Sequence, residues 1–368
     1  MIKIENLVDI IATLCRFEEP IFASEDTNLA IMKTMRFLLL MTSVISFNLF
    51  LASCGYEDEE ISIVPVPVSV KCCNGNFLFT SETVISVDDA SLKPTAEWFA
   101  WLFARPAGFV PKVVVGKNDA DVRLSLVEGM SDEAYMMQVN RHHITIEASD
   151  RAGFIYALQT LRLALPSEMS SERYVENVQW SVHSMKVYDM PRFSHRCLRL
   201  DLDKCRFTDA QICYMLDCMA MLKYNYLHLY TSDVQNIRAC AYIDLIESQA
   251  EEFNIKVGVT DNKCFCENLS SEPEWIEPLV SMGKNSLKDI YYYEPESDSA
   301  SDDFHDFLMG LFSSVWFQSC SEPEQIQGML LPHLAALAET AWSPKGCKDW
   351  KRFSASVADF RKHLASEF

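Results

Sequence analysis

A chain of 368 residues, 49% hydrophobic and 23% charged, is long enough for two or three domains with sizeable cores. Its formal net charge of −20 argues against a nucleic-acid partner, which needs a basic face, and weighs against an acidic ligand. The 13 cysteines follow neither a disulfide-framework nor a zinc rhythm.

Residues 1–34 are mixed in charge and contain no long apolar run. Met35-Arg36 then opens an apolar run from Phe37 to Leu51 that ends in Leu51-Ala52-Ser53-Cys54-Gly55. The run is shorter than the roughly 20 residues of a spanning helix. A basic start, an apolar core and small residues at the end describe a secretory signal over residues 35–54. Left uncleaved, it would be a membrane anchor. A signal normally begins a chain, so residues 1–34 read as a misassigned start, with Met32 or Met35 the true one. Tyr56 to Glu60 reads as an acidic tether.

Ile61 to Pro67 alternates apolar residues with Ser62, Pro65 and Pro67, the pattern of an edge strand. Strands are expected at Phe77–Phe79, Val84–Val87, Val113–Val115, Val122–Leu126, Tyr135–Val139 and Ile144–Ile146. Helices are expected at Pro94–Ala104 and Arg151–Leu165. This mixture describes a small α+β domain over residues 61–167, followed by a polar linker from Pro166 to Glu172.

The second region, residues 187–368, starts with a strand at Cys197–Leu202. Thr208 and Gln211 form a capping box. Ile212, Met215, Leu216 and Met219 follow at helical spacing, which predicts an amphipathic helix over 209–222. Tyr226–Tyr230 is a second strand; Ile243, Ile246 and Ala250 mark a second helix; Ile255–Val259 is a third strand. This βαβαβ order requires a parallel sheet. Residues 262–309 then lack strand–helix pairs, and the segment from Tyr291 through Pro295 to Asp303 reads as a loop. Val315–Trp316 reads as a last strand. Ser321, Glu324 and Pro323 cap a helix that continues to Trp342, with a kink expected at Pro332. Cys205, Cys213 and Cys218 read as small buried hydrophobes. Cys264-Phe265-Cys266 is too close, and lacks a second pair, for a zinc site, so no metal or cofactor is expected.

Two stretches of the second region carry a resemblance. Asp189-Met190-Pro191-Arg192-Phe193-Ser194-His195-Arg196 leads into Leu200-Asp201. Gly310-Leu311-Phe312-Ser313-Ser314-Val315-Trp316-Phe317-Gln318 is followed by Leu331-Pro332-His333 and by Ala338-Glu339-Thr340-Ala341-Trp342-Ser343-Pro344. Together they resemble glycoside hydrolase family 20, the β-N-acetylhexosaminidases. Asp132-Glu133-Ala134-Tyr135 and Ala152-Gly153-Phe154-Ile155-Tyr156-Ala157 resemble the non-catalytic domain that precedes the barrel of that family. The resemblance implies an α/β fold, a (β/α)₈ barrel behind a small α+β domain. A full barrel takes about 250 residues, more than the second region holds, so the fourth to roughly seventh units read as deleted and the barrel as truncated.

The same resemblance implies site residues. Arg196 matches the arginine that holds hydroxyls of the terminal sugar; its other reading is a salt bridge beneath the domain interface. His228-Leu229-Tyr230-Thr231-Ser232-Asp233 stands where the family has His-Trp-His-Leu-Thr-Asp, so Asp233 matches the carboxylate that orients the catalytic acid. Asp261 matches an aspartate whose downstream histidine is absent here. Trp316 matches a pocket tryptophan, or is simply a core residue. Gln318 replaces the glutamate of a Trp-x-Glu motif. The implied reaction is substrate-assisted, retaining hydrolysis of terminal β-linked N-acetylglucosamine or N-acetylgalactosamine from glycans. It needs an Asp-Glu pair in the barrel, and no such pair occurs there. Glu267, Glu274 and Glu277 are loose replacement candidates. The expected product is a hexosaminidase-like protein with impaired catalysis; the alternatives are a glycan-binding surface lipoprotein and a decayed gene product. Finally, Ser53-Cys54 resembles a bacterial lipoprotein signal. This implies lipidation at Cys54, membrane attachment and a place in the cell envelope, on the periplasmic side or the outer-membrane surface.

Overall fold

Residues 62–117, 119–201, 208–231, 243–261, 286–295, 310–315 and 323–364 are described by the computed structural model. All belong to the unit Cys54–Phe368. Residues 35–54, with Cys54, lie outside them.

The first domain is a seven-stranded mixed sheet in the order β1-β7-β5-β6-β4-β2-β3. Its strands are β1 (Ser69–Leu78), β2 (Val84–Val87), β3 (Lys112–Val115), β4 (Val122–Leu126), β5 (Tyr135–Val139), β6 (Ile144–Ala148) and β7 (Ser181–Asp189). Strands β5 and β6 alternate buried and half-buried positions, as period-2 side chains over one packed face must. Helices α1 (Lys93–Trp101) and α2 (Arg151–Ala164) cover that face, with Phe99, Phe154, Leu158 and Leu161 in the shared core. Asp150 caps α2 by accepting from the amide of Gly153 at 2.8 Å. A methyl group at Gly153 would sit 2.6 Å from the Ala134 carbonyl oxygen, so only glycine lets the helix approach β5. Almost every residue of α2 is buried, because its second face packs on the other domain. There Arg162 donates to both carboxylate oxygens of Asp217, at 2.6 and 2.9 Å.

Two boundaries differ from the sequence expectation. Strand β7 inserts between β1 and β5, antiparallel to both, so the domain runs to Asp189 and not to 167. The segment Ser167–Ser170 is a 3₁₀ turn inside the domain. Strand β7 escapes sequence detection because Ser184, Lys186 and Asp189 are buried with its apolar residues, which erases the alternation. Residues 62–68 are not an edge strand. Pro65 and Pro67 cannot donate to a ladder, and Ile63 and Val64 are instead buried among the helices of the second domain.

Among the described residues the second domain is a four-stranded, all-parallel sheet: β8 (His195–Asp201), β9 (Tyr226–Thr231), β10 (Lys256–Asp261) and β11 (Gly310–Val315), in the order β10-β9-β8-β11. The last strand therefore pairs with the first, as barrel closure requires, Gly310 opposite His195 and Val315 opposite Leu200. Only residues 262–309 separate β10 from β11, far fewer than the roughly 125 that half of an eight-unit barrel takes. Helix α3 (Asp209–Met221) begins at the expected capping box, Thr208 with Gln211. Helices α4 (Ile243–Glu252), α6 (Pro323–Trp342) and α7 (Trp350–Leu364) follow, and Pro332 lies within α6. Leu198, Leu200, Leu227 and Leu229 face these helices in one core with Ile212, Leu216, Leu334 and Leu337. Val257 pairs in register with Leu227 yet is 36% exposed, as befits a strand at the sheet's edge.

Tyr291 was expected in a loop. It ends a short helix, α5 (Leu287–Tyr291), and is fully buried, stacked on Phe353 with ring centroids 4.4 Å apart. Helix α7 was not anticipated, although Phe353, Val357, Phe360 and Leu364 repeat at helical spacing and are all buried.

Candidate functional site

In a barrel of this kind chemistry belongs to the C-terminal ends of the strands. Those ends are level here: Leu200 pairs with Leu229, Asp201 with Tyr230, and Thr231 with Asp261. Val315, the last residue of β11, stands opposite Leu200. The register thus brings the ends of β9 and β11, at Thr231 and Val315, to one rim. Asp233, Trp316, Gln318, Glu267, Glu274 and Glu277 themselves lie outside the described residues, as do Cys205, Cys264 and Cys266.

The face of the sheet turned away from the helices carries the alternate residues. Arg199 and His228 are register partners, both half-buried. Below them, the His195 and Tyr226 rings meet with centroids 4.4 Å apart. Burial, helped by Arg196 and Lys256, holds the His195 pKa below the ordinary range. Burial pushes the neighbouring Cys197 thiol up to about 12, which makes it an inert packing group rather than a nucleophile. Among the described residues no group of three or more His, Cys, Asp or Glu is placed to hold a metal ion.

Arg196 belongs to the opposite end. It is the second residue of β8, at the N-terminal edge of the sheet, and is 1% exposed. Its Nη1 donates to Glu133 Oε2 at 2.8 Å and to the Phe193 carbonyl at 2.8 Å. Its Nη2 donates to the Tyr156 hydroxyl at 3.1 Å, and its Nε to the Lys223 carbonyl at 2.7 Å. The guanidinium also lies 4.9 Å from the Trp342 ring centroid. Four of the five guanidinium N–H donors are thus taken up by protein. The sugar-holding role implied by the resemblance is corrected: Arg196 is the buried bridge between the domains.

Glu133 supplies the other side of that bridge. It stands at φ 62 in the turn before β5 and also accepts from Asn225 Nδ2 at 3.0 Å. Beside it lies a second buried pair, Lys223 with Asp189 at 2.6 Å, both fully buried. Asp189 accepts from Tyr135, Lys223, the Trp342 indole, and the amides of Val68 and Met190. Five donors on one carboxylate leave it fully satisfied, the condition under which a buried charge is tolerated. Lys223 holds a left-handed backbone, φ 62, at the end of α3. That costs a side-chain-bearing residue about 1 kcal/mol, offset because it aims the ammonium at Asp189. Burial draws the Lys223 pKa down against the pull of Asp189, and drives the Tyr135 phenol well above its usual range.

A third buried acid, Glu339 on α6, accepts from the Tyr291 hydroxyl at 2.9 Å, from Arg352 and from the Val66 amide at 3.4 Å. The Ser343 hydroxyl donates to the Val66 carbonyl at 2.6 Å. So Glu133 and Tyr135 of one motif, and Glu339, Trp342 and Ser343 of another, are joint residues. They hold the α+β domain, the N-terminal segment and the half-barrel together.

Comparison with known proteins follows this division. Residues 60–190 match glycosyl hydrolase family 20, domain 2, and residues 239–345 match the glycosyl hydrolase family 20 catalytic domain. A β-N-acetylhexosaminidase of Cellulomonas fimi is 30% identical over 185 residues, 49% of this chain and 36% of that protein. A β-hexosaminidase of Porphyromonas gingivalis is 26% identical over 48% of this chain and 23% of its own length. The chain thus spans about a third or less of these two relatives. Among solved structures, the Streptomyces plicatus N-acetyl-β-hexosaminidase superposes with a TM-score of 0.64 at 17% identity, covering 82% of this chain and 94% of that one. The Bacteroides fragilis β-N-acetylhexosaminidase gives 0.62 at 14% identity, covering 83% and 97%. These likenesses establish a family 20 fold, here a truncated TIM-type barrel behind its α+β domain.

Proposed function

Because the chain belongs to glycoside hydrolase family 20, we propose that it is a β-N-acetylhexosaminidase-like protein directed at N-acetylhexosamine-containing glycans but without useful hydrolytic turnover. The observation that carries this reading is the pairing of β11 with β8 while only residues 262–309 connect it to β10. First, second, third and last strands are kept; the interval that should bring a catalytic pair to the rim is too short for the strands that would hold it. The Asp132-Glu133 pair offers no substitute, since Glu133 is bound to Arg196 and Asn225 at the far end of the strands. A general acid contributes typically 10²–10⁴-fold, and holding the substrate's acetamido group adds a separate factor. Purified protein should match buffer on a nitrophenyl N-acetylglucosaminide from acidic to neutral pH. Turnover abolished by a single carboxylate substitution within 262–309 would overturn the reading and identify the acid.

The same proposal places the protein in the cell envelope on a lipid at Cys54, supported by the run from Met35 to Cys54. Radiolabelled palmitate should enter the wild type and not Cys54→Ala; equal labelling would remove the anchor.

A further inference from the structure

The α+β domain carries two largely exposed aromatic rings. Trp101, at the end of α1, is 68% exposed, whereas the other described tryptophans are buried or half-buried. Tyr174 is 64% exposed. Three contacts tie the segments that bear them. Arg105, one turn beyond Trp101, pairs with Glu172 at 3.5 Å, two residues before Tyr174. The Val175 amide donates to the Pro106 carbonyl at 2.9 Å. The Tyr174 ring lies over Gly108, where a methyl group would stand 3.2 Å from two ring carbons and the backbone is at φ +72. One edge of the ring is therefore packed against a glycine while the side chain remains 64% exposed.

We infer that this surface is a second carbohydrate site, which takes neutral β-linked pyranose chains by stacking them on Trp101 and Tyr174. A pyranose has an apolar C–H face that packs on the electron-rich face of an aromatic ring, and hydroxyls around its rim. The Arg105–Glu172 pair supplies donors and acceptors for those hydroxyls. As an exposed pair it contributes little to folding, so its use is free for a ligand. Charge selects this occupant over a membrane surface. Arg105 and Arg173 are matched by Glu172 and Glu176, and anionic lipid is drawn to an excess of Lys and Arg. A ring already fixed before binding loses little entropy when a sugar arrives. The site lies in the first domain, independent of the half-barrel rim and of any catalysis there.

The test is titration of the full chain with tetra-N-acetylchitotetraose and with cellohexaose, read by tryptophan fluorescence and calorimetry. At least one should bind the wild type. Trp101→Ala and Tyr174→Ala should each weaken binding at least fivefold, and the double variant should abolish it, with melting temperatures unchanged because both side chains are exposed. Leu78→Ala, at another exposed apolar position of the same domain, should leave affinity within twofold, which ties the effect to these two rings. Absence of wild-type binding to both sugars overturns the inference. So does equal binding by the double variant, or ring-dependent binding to phosphatidylcholine–phosphatidylglycerol vesicles without binding to either sugar.

Discussion

Replacing Arg196 with alanine separates its two roles. If it is the interdomain bridge, the cost is one of stability. Removing one member of a buried ion pair costs about 3–5 kcal/mol, because the other charge is left uncompensated. Glu133 keeps Asn225 and is 16% exposed, which pulls the figure toward the lower end. Against that, the Phe193 and Lys223 carbonyls lose their guanidinium donor, at roughly 1 kcal/mol each. The net expectation is about 4 kcal/mol. With a urea dependence of about 3 kcal/mol per molar for a chain of this size, the unfolding midpoint should fall by more than 1 M. The paired substitution tests the geometry: Arg196→Ala with Glu133→Ala should cost less than the sum of the singles, by at least about 1 kcal/mol. A midpoint that hardly moves, together with lost affinity for N-acetylglucosamine, would refute the bridge and restore the sugar contact.

Two further outcomes follow from the packing. Burial and the nearby Arg162 charge draw the His363 pKa from 6.5 down to about 4. A depressed folded-state value means that its contribution is intact above pH 6.5 and lost as pH falls toward 4. By pH 4.5 it should remove roughly 2–3 kcal/mol, and His363→Leu should show a correspondingly smaller drop in urea midpoint between pH 7 and pH 4.5; identical drops would contradict the assignment. A fragment of residues 62–190 should melt cooperatively by circular dichroism, whereas 61–167 should not, since it lacks the strand between β1 and β5; a cooperative melt of the shorter piece would show β7 to be dispensable.

Much of the fold was legible because its signals are local. Val122–Leu126 and Tyr135–Val139 announce themselves by period-2 alternation over one buried face. Thr208 and Gln211 announce α3 by a hydrogen-bonding exchange three residues apart. The succession of apolar strands and amphipathic helices in the second region requires a parallel sheet, and β8 to β11 pair in parallel. Arg196 was half legible: sugar contact and salt bridge were both open to it, and nothing local chose between them. That choice rests on Glu133, 63 residues away. The same holds for Asp189, whose partners Lys223 and Trp342 are 34 and 153 residues distant. A charged residue reads as surface until such a partner is found, so β7 and the cluster around Tyr291 and Glu339 were hidden by the charges and hydroxyls they bury. Sequence by itself determined the family and those elements whose pattern is local, because these depend on neighbours along the chain. Tertiary structure alone decided which polar residues are joints, because a buried charge is stable only where distant segments bring it a counter-charge.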